Sequence, residues 1–144
     1  MAAPKRHRQF VFVLVPEEGV AEAAAHRTAS AVCRIALLAD LTPICPALMY
    51  VPFMTPEERS TKLPLVARQW LKRCDKIWLQ FPSTKPALDA FSFRVLQNNE
   101  GSAVRRTVYQ LERADESIYP VPMSREELKF LLGCNLDVGL ARCA

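Results

Sequence analysis

A chain of 144 residues, half of them hydrophobic and with a formal charge of +4, is of the size that buries one core without disulfides or metals. Its longest apolar runs, FVFVLV at 10–15 and IALLA at 35–39, fall short of the ~18–20 residues that span a bilayer, so neither a transmembrane helix nor a membrane partner is expected. Two histidines and five cysteines, with no CxxC pair and no Cys/His cluster at ligand spacing, give no reason to expect zinc, another metal or a cofactor.

The cysteine number is odd, and at least three of the five lie in apolar segments, where a free thiol behaves as a small buried hydrophobe. That usage fits a reducing compartment, and the expected location is cytoplasmic. The basic excess is local: Lys5, Arg6 and Arg8, then Arg68, Lys72, Arg73 and Lys76, then Arg105 and Arg106. Without interleaved exposed aromatics these runs read as solvated faces, and nucleic acid is not an expected partner. The chain divides into a basic arm at 1–8, a single α/β domain at 9–133 and a tail at 134–144.

In chain order, QFVFVLV at 9–15 has the β-branched density of a central parallel strand covered on both faces. It ends in Pro16-Glu17-Glu18 rather than a small-residue cleavage site, so it reads as a first strand and not as a signal peptide. From Gly19 to about Ala39, Ala21, Ala25, Ala29, Val32, Cys33 and Ala36 recur at helical spacing, while His26 falls on the polar side and is expected to be exposed. A short strand around Pro43 to Cys45 runs into a loop punctuated by Pro46 and Pro52. Thr55-Pro56-Glu57-Glu58 is a capping box with proline at the first helical position. A helix follows from about Leu63 to Cys74, and KIWLQF at 76–81 is a third buried strand. Trp70 and Trp78 both fall in apolar patterns and read as core.

The segment from Leu88 to Leu96 is ambiguous between an added strand and a loop, because AFSFRVL alternates only in part. The spacing of Ala103, Val108, Leu111 and Ala114 predicts an amphipathic helix from Glu100 to about Asp115. SIYPV at 117–121 reads as a fourth strand, and Ser124 to Glu127 as a capping box opening a last helix to Leu132. The order β-α-β-α-β, then an insert at 82–99, then α-β-α, with connections long enough for crossovers, predicts a small, three-layered, doubly wound parallel sheet. Ligands of such sheets bind outside the carboxyl ends of the strands, near a topological switch point.

Several stretches resemble the small bacterial and phage group related to nucleoside 2-deoxyribosyltransferases. They are VFVLVPEEG at 11–19, CRIALLADLTPICPALMYVPFM at 33–54, TPEER at 55–59 and, above all, LKRCDKIWLQF at 71–81. The likeness covers residues 9–82 well and 100–121 loosely. It implies a flavodoxin-like or Rossmann-like sheet whose strand ends cradle a nucleoside or nucleotide, in oligomers that share sites, and hence a possible homo-oligomer. In active relatives a carboxylate attacks the sugar carbon of the N-glycosidic bond, following a turn Gly-[Ser/Thr]-x-x-Glu at a helix start. The matching turn here is Gly101-Ser102-Ala103-Val104, and Arg105 stands where the Glu would be. A guanidinium is cationic and has no acceptor, so it cannot be that nucleophile.

This resemblance and the residues together nominate a ligand site made of Pro16, Glu17 and Gly19 after the first strand, Leu48 and Tyr50 as an apolar wall after the second, and Phe81 after the third. Gly101 and Ser102 join them as an anion-binding turn, with Arg105 and Arg106 as forked phosphate donors. The leading expectation is a nucleoside- or nucleotide-binding protein without the family's carboxylate. One alternative is an active N-glycosidase or deoxyribosyltransferase in which Glu100, Asp89 or Glu17 supplies it. The other is a protein-interaction factor whose contacting surfaces are residues 82–99 and the tail. Whether the chain is an enzyme stays open at this point.

Overall fold

A computed structural model describes residues 9–17, 22–82 and 87–133; the basic arm and the tail lie outside these. The described residues form a mixed α/β fold with a five-stranded, mostly parallel sheet and six helices. In chain order they are β1 (Phe10–Leu14), α1 (Glu22–Leu38), β2 (Thr42–Ile44), α2 (Pro46–Met49), a 3-10 turn at Val51–Phe53, α3 (Pro56–Thr61), α4 (Leu63–Leu71), β3 (Lys76–Leu79), α5 (Ala90–Glu100), β4 (Thr107–Ala114), β5 (Ser117–Pro122) and α6 at 125–133.

The strand order is β2-β1-β3-β4-β5. β1 runs parallel to β2 and β3, and β3 parallel to β4, with Phe12 opposite Ile44 and Ile77, and Ile77 opposite Val108. β5 returns antiparallel along β4, so the expected fourth strand is an antiparallel edge. The hairpin closes through Asp115-Glu116, with Asp115 in the left-handed region at φ 56, a conformation that short polar side chains tolerate.

Each strand of the centre presents alternate residues to two cores. Phe12, Leu14, Ile77, Leu79 and Val108 face α4, α5 and α6 through Ala67, Leu71, Val95, Leu96, Leu128 and Leu131. Val11, Val13, Trp78 and Leu111 face the alanine stripe of α1, namely Ala25, Ala29, Val32 and Ala36. Val11 to Leu14 are at most 2% exposed, which is why β1 reads as an unbroken apolar run. The result is the three-layered, flavodoxin-like arrangement with helices on both faces.

Two elements differ from expectation. Residues 107–114 are a strand and not part of a helix. Val108 and Leu111, three apart, suit one helical face, yet in β4 they point to opposite cores because the strand has strands on either side and cores on both faces. The ambiguous 88–96 stretch is instead α5, the crossover from β3 to β4. Asp89 caps it by accepting from the Ser92 N–H at 2.8 Å, and its buried residues Ser92, Val95, Leu96 and Asn99 follow helical spacing. The capping boxes behave as their residues predict: Thr55 and Glu58 satisfy each other's backbone N–H at 3.2 and 3.0 Å, and Ser124 accepts from the Glu127 N–H at 3.1 Å.

Both rims of the sheet carry proline. Pro43 lies in β2, and Pro120 and Pro122 lie in β5 opposite Leu111 and Tyr109. Two residues apart, the β5 prolines point the same way along the ladder, and a ring without an N–H fits only where that group would face away from β4. Among the described residues no helix is long and apolar enough to cross a membrane.

Candidate functional site

The connection leaving β1 goes to α1 on one face, and the connection leaving β3 goes to α5 on the other. The order of strands reverses between these two neighbours, so their carboxyl ends frame the switch-point crevice of the fold. A cleft of about 280 Å³ lies there. Val13, Leu14 and Val15 form its floor, Pro46 and Ala47 of α2 and Leu63 of α4 its apolar wall, and Glu17, Arg59, Ser60 and Asp89 its polar groups.

Two of the three carboxylates nominated from sequence meet in this cleft. The Glu17 backbone N–H donates to Asp89 Oδ2 at 3.2 Å, while the other Asp89 oxygen caps α5. Asp89 therefore ties the exit of β1 to the helix that follows β3. The Glu17 carboxyl is pushed above its ordinary range by burial first, then by the negative charges of Asp89 and Glu22, while His26 and Arg59 pull it back. Burial and a like charge both disfavour the ionised form. Arg59 pairs through Nη2 with Glu22 at 3.2 Å, yet its Nε is buried with no hydrogen-bond partner among the described residues. His26, expected to be exposed, is half-buried, and its Nε2 is likewise buried and unpartnered.

The remaining nominees separate from this cleft. Gly101 is the C-cap of α5 and not the start of a helix, so it and Ser102 stand at the negative end of a helix dipole, where an anion is disfavoured. Because Thr107 opens β4, parallel to β3, the whole 101–106 segment lies at the amino ends of the strands, opposite the cleft. Ser102 closes a local turn with the backbone of Val104 at 3.3 Å. Arg105 is paired to Glu100 at 2.8 Å, away from the cleft.

Arg106 donates to the carbonyls of Val104, Cys74 and Lys72 at 2.6, 3.1 and 3.0 Å. A cation beside the carbonyls that follow the end of α4 is stabilising there, so Arg106 clamps the loop before β3 to the loop before β4, away from the cleft. Pro16 is buried. Leu48 packs toward α1, Tyr50 accepts from Trp70 Nε1 at 2.6 Å, and Phe81 is buried in the core under α5; none of the four lines the cleft. Gly19 lies outside the described residues.

Arg59 and Ser60 are the cleft residues that sequence reasoning left without a role. Their signal was available in the TPEER stretch: a capping-box helix directly after the loop leaving β2 sets its first-turn and second-turn side chains at the strand ends. A second cavity, about 440 Å³, is a trough on the sheet face between α1 and the β4–β5 hairpin, lined by Arg27, Val32, Ile35, Gln80, Leu111 and Ile118 among others. It holds none of the nominated residues and lies away from the switch point. Among the described residues no group of three or more His, Cys, Asp or Glu is placed to hold a metal ion. No family model, curated protein or solved structure matches the chain.

Proposed function

We propose that the cleft between β1 and β3 binds a nucleoside, with the Glu17 and Asp89 carboxylates receiving its sugar hydroxyls. The observation that carries this reading is the convergence of these two acids at the switch-point crevice. Carboxylates are strong acceptors for hydroxyl donors, and the apolar wall of Pro46, Ala47 and Leu63 suits the flat face of a base. The unpartnered Arg59 Nε offers a donor to a base carbonyl. Two acids against one Arg repel a phosphate, and the volume of about 280 Å³, just under the ~300–1,000 Å³ usual for small-molecule sites, suits a nucleoside better than a dinucleotide. The resemblance to the deoxyribosyltransferase-like group points to the same ligand class.

The raised Glu17 carboxyl beside Asp89 favours a second reading, cleavage of the N-glycosidic bond. The Asp89 carboxylate would attack the sugar carbon as that bond breaks, and Glu17 would give its proton to the departing base; water or a second base would then release the sugar. Arg105 no longer argues against catalysis, since it does not occupy the strand-end site.

A thermal-shift screen against nucleosides, their mono- to triphosphates and NAD, with product analysis of each hit, tests both. At 100 times its dissociation constant a nucleoside should stabilise the fold by about 2.7 kcal/mol. A shift with the nucleoside intact supports binding. Free base whose release is lost in Asp89→Asn and Glu17→Gln establishes the enzyme. No shift with any nucleoside overturns the proposal.

A further inference from the structure

The trough between α1 and the β4–β5 hairpin, about 440 Å³, differs in chemistry from one end to the other. α1 starts where β1 ends, so Arg27, in its second turn, stands at the carboxyl ends of the strands. Ala31, Val32 and Ile35 continue the same wall toward the amino ends, about 12 Å further on at 1.5 Å per residue. On the sheet side Leu79 pairs with Gln110, so Leu111 lies level with Gln80 and Arg113 lies beyond the end of β3, with Ile118 of β5 opposite it. Alternation along the strands places Leu111, Arg113 and Ile118 on one face. Val32 and Leu111 are buried and Ile35 is half-buried, while Arg27, Glu112 and Arg113 are exposed. The trough is therefore apolar along its length and charged at one end. We propose that it binds a single-chain amphiphilic carboxylate, with the anion at Arg27 and Arg113 and the chain over Val32, Ile35 and Leu111.

Charge selects the head group. Arg27 and Arg113 against Glu112 leave that end of the trough with a single positive charge, and no ion pair joins either arginine to another described residue. A guanidinium fork receives a carboxylate through parallel N–H donors. A dianionic phosphate would leave one charge uncompensated beside Glu112, and a cationic head would meet two arginines. The apolar length selects the chain, since covering Ile35 and Ile118, which is 37% exposed, removes hydrocarbon surface from water. The volume falls within the ~300–1,000 Å³ usual for small-molecule sites. The switch-point cleft has the reverse balance, Glu17 and Asp89 against Arg59, and repels the same ligand.

This inference does not depend on what the cleft binds, and its test needs no nucleoside. The full chain is titrated calorimetrically with sodium decanoate below its micelle-forming concentration, and in parallel with acetate, which is the head alone, and with decyltrimethylammonium, which carries the same chain on a cation. Decanoate should bind saturably, one per chain, with a negative heat-capacity change from chain burial and an affinity that falls as salt is raised. Acetate and decyltrimethylammonium should give no saturable heat. Arg27→Ala and Arg113→Ala should each weaken decanoate binding a few-fold, as expected for exposed ion pairs. Ala31→Phe fills the trough from an exposed position of α1, so its circular dichroism should match that of the wild type while decanoate binding is lost. No saturable binding of decanoate, equal binding of decyltrimethylammonium, or undiminished decanoate affinity in a folded Ala31→Phe chain would overturn the proposal. The wild-type titrations and the two arginine variants decide the matter if Ala31→Phe does not fold.

Discussion

Single side chains at the two ends of the sheet have opposite jobs. At the carboxyl ends Glu17 is held partly out of water beside Asp89, and its folded pKa lies above the ordinary 4.5. The folded state therefore holds more protons than the unfolded one above that value, and stability falls as pH rises from 4.5 through the raised pKa. Glu17→Gln removes this penalty. Its melting temperature relative to wild type should be higher at pH 7 than at pH 4, a difference that calorimetry at the two pH values measures. At the amino ends Arg106 holds three carbonyls. Arg106→Ala should cost about 1–3 kcal/mol in urea unfolding and leave nucleoside binding unchanged, since the cleft is at the other end. Asp89→Asn keeps one oxygen for the N-cap of α5 but loses the charge and the acceptor of the Glu17 N–H, so it should lower stability by about 1–3 kcal/mol in urea unfolding and weaken nucleoside binding roughly 10- to 100-fold by calorimetric titration, as expected for a charged hydrogen bond of about 1.5–3 kcal/mol.

These residue roles were legible in unequal measure. Glu17 was open to nomination because it follows the first strand, and Asp89 only as a carboxylate in the stretch before the Gly101 turn, but that they meet follows only from the order β2-β1-β3, which no local pattern encodes. Arg105 and Arg106 stand away from the cleft for a specific reason: Gly101-Ser102 resembles the opening of a helix, and a glycine that ends α5 is the same letter as one that would begin another.

At the scale of elements, local chemistry decided most outcomes. Thr55 with Pro56 and Glu58, and Ser124 with Glu127, start helices by satisfying backbone N–H groups within three residues, and such signals are readable without the fold. Thr55→Ala should cost about 1 kcal/mol of stability by urea denaturation. The two misread elements were those whose burial depends on partners far away in sequence. In TVYQLERA the β-branched and aromatic start argues for a strand, while Val108 and Leu111 fit a helix stripe; the tie is broken by β3 and β5 on either side. In AFSFRVL the alternating Phe91 and Phe93 imitate a strand, and it is the inward set Ser92, Val95, Leu96 and Asn99, with Asp89 as cap, that fixes α5. What looked like an insertion between β3 and the next element is the crossover itself, and recognising it as such moves Asp89 to the strand ends.

For the whole molecule, the sheet has one dressed face and one partly bare one. α4, α5 and α6 cover the first, whereas α1 alone leaves a trough beside the β4–β5 hairpin on the second. The prolines on both rims bear on how copies of this chain meet. A strand offered by a neighbour needs a row of outward N–H donors to zip onto, and Pro43 on one border and Pro120 with Pro122 on the other interrupt that row. Copies crowded together thus find, among the described residues, no continuous seam along which one sheet becomes two and two become a fibril. Among the described residues, that leaves the helices and the partly bare face as surfaces for an oligomer. Replacing Pro120 and Pro122 by threonine should reopen the seam: sedimentation should then detect concentration-dependent growth that the wild-type chain does not show.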